Sequence, residues 1–265
     1  MYNLIRADLF KLRKSMAIKI LFGITTVSAL AMAMFAYLIP QGKIDGSMTG
    51  IGFMFSDINV ISILGAVIAG VFICGDFDNK TIHDAIANGH SRVAVILSKA
   101  TVSGCALVFI LLPYAIITVI ALSTGYEFSM GSIALGFLNI MTSEAGTGFS
   151  ASEIGKLLAV MLTLMIVYVA QLSITVPLAL FLKKPVFVIA LYYAFSILCG
   201  QLAGLGDGSL LINRMFAVTP YGSSYSLVTL NTGNADILQA ISVSLVFIVA
   251  MIAVAYSGFR RSEIK

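Results

Sequence analysis

Apolar residues in this chain come in long unbroken runs. They show neither the alternation of a half-buried strand nor the narrow stripe of a soluble helix. Ile20 to Ile39 is uncharged and ends at Pro40, and Ile58 to Cys74 stops at Gly75-Asp76-Phe77-Asp78. Ala100 to Ser123 follows Lys99, and Leu157 to Leu182 is closed by Lys183-Lys184. Pro185 to Leu205 comes at once, and Ile237 to Gly258 precedes Arg260-Arg261. Each run offers roughly 17–26 residues, enough at about 1.5 Å per residue to cross a hydrocarbon core near 30 Å. Lipid leaves backbone groups no outside partner, and without barrel alternation only helices satisfy them. The pattern predicts an all-α integral membrane protein of six transmembrane helices. It forms a single transmembrane domain over residues 1–265, with a leader over 1–19 and a connecting segment over 76–92. The spans fall at about 20–39, 58–74, 100–123, 157–182, 185–205 and 237–258.

Composition agrees. Hydrophobic residues make up 59% of the chain and charged ones 11%, with a mean hydropathy of +1.02, too few charges to cover a soluble surface. The cations then orient it. With the N-terminus inside, the inner segments hold Arg6, Lys11, Arg13, Lys14, Lys19, Lys80, Arg92, Lys99, Lys183, Lys184, Arg260, Arg261 and Lys265, and the outer ones only Lys43, Lys156 and Arg214. That bias predicts both termini in the cytoplasm. The net charge of +4 is therefore a membrane signal, and no basic cluster is interleaved with aromatics for nucleic acid. Cys74, Cys105 and Cys199 fall in or beside apolar runs with no metal spacing, and read as packing residues. The first run is too long for a signal peptide and lacks a small-residue cleavage site. With no Trp, Tyr37, Tyr126, Tyr221, Tyr225 and Tyr256 are the candidate interfacial anchors.

The polar segments carry the local detail. Ile5, Leu9, Leu12 and Met16 recur at helical spacing in the leader, predicting an amphipathic helix in the inner headgroup plane. In the segment 76–92, Asp78 is placed to cap a helix of about ten residues that Gly89 ends, with Ile82, Ala85 and Ile86 on one face. Ser91 caps the next helix, which runs on into the third span. Gly125 to Gly155 is too polar to cross and suits a short interfacial helix around Ile133 to Met141. Leu210 to Ala217 and Tyr225 to Leu230 are apolar but too short to span, and suit segments that dip in and return.

Catalytic chemistry is missing from this pattern. No span carries a charged residue near its centre, which argues against cation coupling, and no catalytic set for proteolysis lies in the spans. His83 and His90, seven apart without cysteine, predict no metal site. Pro113 and Pro177 are expected to kink the third and fourth spans. Small and mildly polar residues mark a possible dimer or translocation face: Gly65 and Ala69 in the second span, and Ser196, Gly200, Gln201 and Gly204 in the fifth.

These pieces together resemble a family. Leu9-Phe-Lys-Leu-Arg13 precedes the first span, and Phe77-Asp-Asn-Lys-Thr-Ile82, Gly89-His-Ser-Arg92 and Lys99 join spans two and three. An interrupted apolar region precedes the last span. The layout is similar to the permease subunits of type-2 ATP-binding-cassette transporters, especially small bacterial peptide exporters and peptide-resistance permeases. It departs at Asp78, where that family more often has an arginine or another polar residue. The resemblance implies that the segment 76–92 docks on a separate ATPase subunit, with Asp78, Thr81, Ile82, Ala85, Ile86, Gly89 and Arg92 as contacts. It implies two permeases and two ATPases, with ATP and magnesium on the partner and no cofactor or enzyme activity in this chain. Gly42-Lys43 and Gly155-Lys156 are the only Gly-Lys pairs, and neither has phosphate-loop spacing. The expected function is export of hydrophobic or amphipathic peptide by a homodimer in the plasma membrane. Lipid or drug export and a non-transport membrane scaffold are the alternatives.

Overall fold

Backbone hydrogen bonding in this chain is almost wholly helical. The computed structural model describes residues 2–44, 49–130, 134–146, 151–205 and 210–261, and no strand occurs among them. α1 (Tyr2–Lys14) breaks at Ser15 and continues as α2 (Met16–Leu38), the first span. After α3 (Thr49–Met54), the second span is built from α4 (Asp57–Ala69), a wider turn over Gly70–Cys74, and α5 (Gly75–Asp78). α6 (Thr81–Ala87) leads to α7 (Arg92–Ser123), the third span, and α8 (Gly136–Ser143) lies between it and the fourth. α9 (Ala151–Leu172) and α10 (Thr175–Leu182) form the fourth span, and α11 (Pro185–Leu205) the fifth. α12 (Leu210–Ala217), α13 (Ser223–Ser226) and the sixth span α14 (Asn234–Arg261) complete the chain. Among the described residues six helices are long and apolar enough to cross a membrane, as in an all-α membrane protein.

α7 is the central post. It packs against α1, α2, α4, α8, α9 and α14, and its Ile110, Leu111 and Tyr114 are fully enclosed. It passes Pro113 without interruption, whereas the fourth span breaks at Ser173-Ile174. The break has a local cause. Pro177 has no N–H for the Ser173 carbonyl, which instead accepts from Val176 N–H at 3.1 Å. Small residues let the post's neighbours close in. A Cβ on Gly65 of α4 would fall 2.5 Å from Leu172 Cδ1 of α9.

Two expectations change here. The short helix near Ile133 to Met141 runs instead over Gly136–Ser143, and it is buried: Phe137, Leu138, Ile140 and Met141 are enclosed between α2, α4, α7 and α9. Four surrounding helices offer a better apolar seat than an interface does. On α1, Leu12 is buried in the bundle, Leu9 is exposed, Met16 is exposed and begins α2, and Asp8 turns inward to a cavity it shares with Leu4. A buried lysine on α7, described next, outweighs the simple stripe.

Candidate functional site

Where α1, the end of the second span, α6 and the start of α7 converge, a cluster of charges is enclosed. Asp76 lies in α5, four residues long, and is 2% exposed; Lys99 lies two turns into α7 and is 7% exposed. Lys99 Nζ pairs with Asp8 Oδ1 of α1 at 2.7 Å and with Asp76, and Lys11 of α1 pairs with Asp76 from the more exposed side. Ser98 donates to the other oxygen of Asp8 at 2.8 Å. Two lysines against two aspartates leave the cluster neutral, which buried charges require. These groups border a cavity of about 250 Å³ that also meets Leu4, Thr81, Ile82, Ala85 and Val95.

α6 sits on this cluster. Lys80, at φ +56°, turns the chain out of the second span, and Thr81 Oγ1 donates to the Asp76 carbonyl at 3.2 Å. Gly89 takes φ +85° as expected, and its N–H donates to the Ile86 carbonyl while His90 N–H donates to Ala85, both near 3 Å. This paired return closes the helix C-terminus. Ser91 then caps α7, its hydroxyl accepting from Ala94 N–H at 3.2 Å.

The sequence-predicted contacts divide into two sets. Asp78 does not cap α6; it lies in the last turn of the second span, so α6 has seven residues rather than about ten. Ile82 is 1% exposed and packs into this chain's own core with Val95 and Ile96, while Ala85 and Ile86 are half-buried. The Ile82 face was expected to meet a partner, but it meets α6's own bundle, because a single short helix gains more by burying its one large apolar face at home. Thr81, Asp84, Ala87, Asn88 and Gly89 are the exposed side. Arg92 does neither. Its guanidinium donates to the carbonyls of Phe259 and Arg260 at 2.7 and 2.9 Å, holding the C-terminal end of α14, and lies 5.6 Å from the Phe259 ring centre. Phe77 meets Phe259 edge-on, with Lys183 over its ring at 5.3 Å.

The predicted small-residue face is likewise divided. Ser196, Gly200 and Gln201 of α11 line a cleft of about 550 Å³ with Asn59 and Ser62 of α4, and Ser62 and Ser196 hydroxyls meet at 3.1 Å. Gly65 and Ala69 do not share it. They face the chain's interior, against Leu172 and the core around Ile73 and Val176, because α4 turns this side to α7 and α9. Gly204 continues α11, and its surroundings lie outside the described residues.

Sequence reasoning missed Asp8, Lys11, Asp76 and Lys99 as a set, having used the lysines as topology markers and as parts of the resemblance, never as partners of the aspartates. One signal was present: an acid on the leader's apolar side, at Asp8. It also missed Asp57, just before the second apolar run. Asp57 opens α4 fully enclosed, accepting from the Tyr168 hydroxyl and from Phe137 N–H. Among the described residues no cluster of metal-ligating side chains occurs.

Fold and site together define a polytopic α-helical membrane protein with an ion-paired junction at one end. Comparison with family models finds no match, and comparison with curated proteins and with solved structures finds none either.

Proposed function

We propose that this chain is the permease subunit of an ATP-driven exporter of the type-2 ABC class. It sits in the plasma membrane with both termini cytoplasmic and works as a homodimer with two copies of a separate ATPase. Its cargo is hydrophobic or amphipathic peptide. One observation carries this reading: α6 is a short, doubly closed helix whose inner face is keyed into the bundle and whose outer face is bare. Such an element suits a partner that pushes. Through Ile82, Asp76, Lys99 and Arg92, a displacement of α6 reaches the second, third and sixth spans and α1 together. The cation bias supports the orientation, and the absence of phosphate-loop spacing supports a separate source of energy. The Ser196–Gln201 cleft supports a path between the second and fifth spans.

The test is co-purification with the ATPase encoded beside the gene. Asp84→Arg and Ala87→Arg alter only the exposed face of α6, so membrane insertion and thermal stability stay as in the unaltered chain. Recovery of the ATPase should fall at least about tenfold, a loss of about 1.4 kcal/mol. Undiminished recovery overturns the role of α6, and a locus with no ATPase favours the scaffold.

A further inference from the structure

Asp57 has no exposed surface, and two donors converge on one of its oxygens. The Tyr168 hydroxyl reaches Oδ2 from α9, and Phe137 N–H reaches the same atom at 3.0 Å from the first turn of α8. Oδ1 has no hydrogen-bond partner. Among the described residues no cation pairs with Asp57. The chain is fitted tightly around it. Gly136 sits at φ +63°, and a Cβ there would fall 2.1 Å from both Asp57 Oδ2 and the Tyr168 hydroxyl oxygen.

Of the titratable groups on the surrounding elements, Tyr168 of α9 and Tyr114 of α7 face Asp57. Tyr114 itself donates to the Phe55 carbonyl at 2.8 Å. α3, α8 and α10 carry no titratable side chain, while Glu144, at the C-cap of α8, is buried and accepts from Leu230 N–H at 2.9 Å. Lys19 is exposed near the start of α2, Lys99 is paired with Asp8 and Asp76, and Arg92 caps α14. Glu153 and Lys156 of α9 lie at least three turns from Tyr168, about 18 Å along the helix. α11 adds Tyr192 and Tyr193, and α2 adds Tyr37, which packs on Tyr126.

An ionised carboxylate so enclosed keeps a full charge against two donors, and burial of an uncompensated charge costs several kcal/mol. A proton on Oδ1 removes that charge at the one oxygen nothing else occupies. Lifting α8 takes away the Phe137 N–H, which by itself favours the acid, but it also admits water to a fully enclosed carboxyl, and relief of that larger burial effect favours the ionised form. Seating of α8 and protonation are therefore linked. We propose that Asp57 is a proton-binding site whose occupancy holds α8 in its buried seat, so that the seat loosens as pH rises. The proton enters from water when α8 is lifted and returns there on release. This holds whether or not the chain works with an ATPase.

Infrared spectra of the full chain in lipid nanodiscs read the protonation state. Aspartate carrying carbon-13 at its side-chain carboxyl assigns the band. The unaltered chain should show a protonated aspartic acid band at mildly acidic pH, where exposed aspartates are already ionised, that disappears as pH rises further and is missing in Asp57→Asn. A second readout is Met141→Cys on a background lacking Cys74, Cys105 and Cys199, probed with a membrane-impermeant maleimide. Its modification, taken relative to that of an exposed Lys43→Cys on the same background so that the thiol's own ionisation cancels, should rise by up to about tenfold per pH unit through the transition. Asp57→Asn, neutral throughout and still able to accept both hydrogen bonds, should flatten that dependence. Carboxylate bands alone across the pH range overturn the proposal, as does a rise in modification that Asp57→Asn leaves unchanged. Should the asparagine variant fail to fold, the labelled unaltered chain decides, because the acid band is either present at mildly acidic pH, above the range of exposed aspartates, or absent.

Discussion

Lys99 Nζ lies 2.7 Å from Asp8 Oδ1, joining the first helix to the third span across 91 residues of sequence. Both groups are almost enclosed, so neither can fall back on water when its partner is removed. α1 is thus part of the bundle's folded core at this end, held by charge as well as by Leu12.

Lys99→Met should be the most damaging single change in the cluster, because it leaves Asp8 and Asp76 facing each other with Lys11 alone. Loss of one partner from a buried pair typically costs about 3–5 kcal/mol. Asp8→Asn should cost less, since Lys99 keeps Asp76. Thermal unfolding of the purified chain in detergent ranks the two. The double variant should lie above the sum of the singles by more than about 1 kcal/mol, and strict additivity would mean the pair contributes nothing.

Two glycines in the left-handed region should respond differently to alanine. Gly89→Ala has open space around its Cβ and carries only the backbone penalty, about 1–2 kcal/mol. Gly136→Ala meets the same penalty and drives its Cβ into Asp57 and Tyr168. Protease or maleimide access to α8 should therefore rise sharply for Gly136→Ala and stay unchanged for Gly89→Ala. Equal effects would show that the Asp57 seat is not tight.

Gly65→Ala should weaken the contact of α4 with α9 by about 1–3 kcal/mol through overpacking against Leu172. Adding Leu172→Ala removes the clashing atoms and should recover part of that loss in thermal unfolding. A cysteine at Gly65 should fail to cross-link between copies, while one at Gly200 in the α11 cleft should cross-link if two permeases meet there. Efficient cross-linking at Gly65 would place the wrong face inside.

Orientation is open to direct chemistry. Single cysteines at Lys43, Ser143 and Asn231, all exposed, should label from outside intact cells, and one at Asn88 only after permeabilisation. Labelling of Asn88 from outside would reverse the proposed topology.

Much of this molecule follows from one-dimensional properties. A run such as Ala100 to Ser123 is helical in lipid wherever its neighbours sit, since a helix satisfies its backbone from within. Caps are equally local: Ser91 reaches only its own first turn, and Gly89 needs only its own φ. Spans and turn residues could therefore be read directly, and so could the general position of α6. The Pro177 break was legible for the same reason, though its position one turn upstream depended on which carbonyl lost its donor.

What only the tertiary structure decided is which side of each element faces inward. Ile82 reads alike as a partner contact or a core residue, and its enclosure depends on Val95 and Ile96 arriving from α7. Gly65 and Gly200 share a composition signal, yet one packs against Leu172 and the other opens onto a cleft, because helix rotation about its own axis is set by neighbours. The charges were least legible of all. Asp8, Asp76 and Lys99 look like ordinary flanking polar residues, and Asp57 like a loop acid, until helices remote in sequence close around them. Hydropathy records how much a residue avoids water, but an ion pair or an enclosed carboxyl is a property of at least two elements at once, and only their packing brings those atoms within reach.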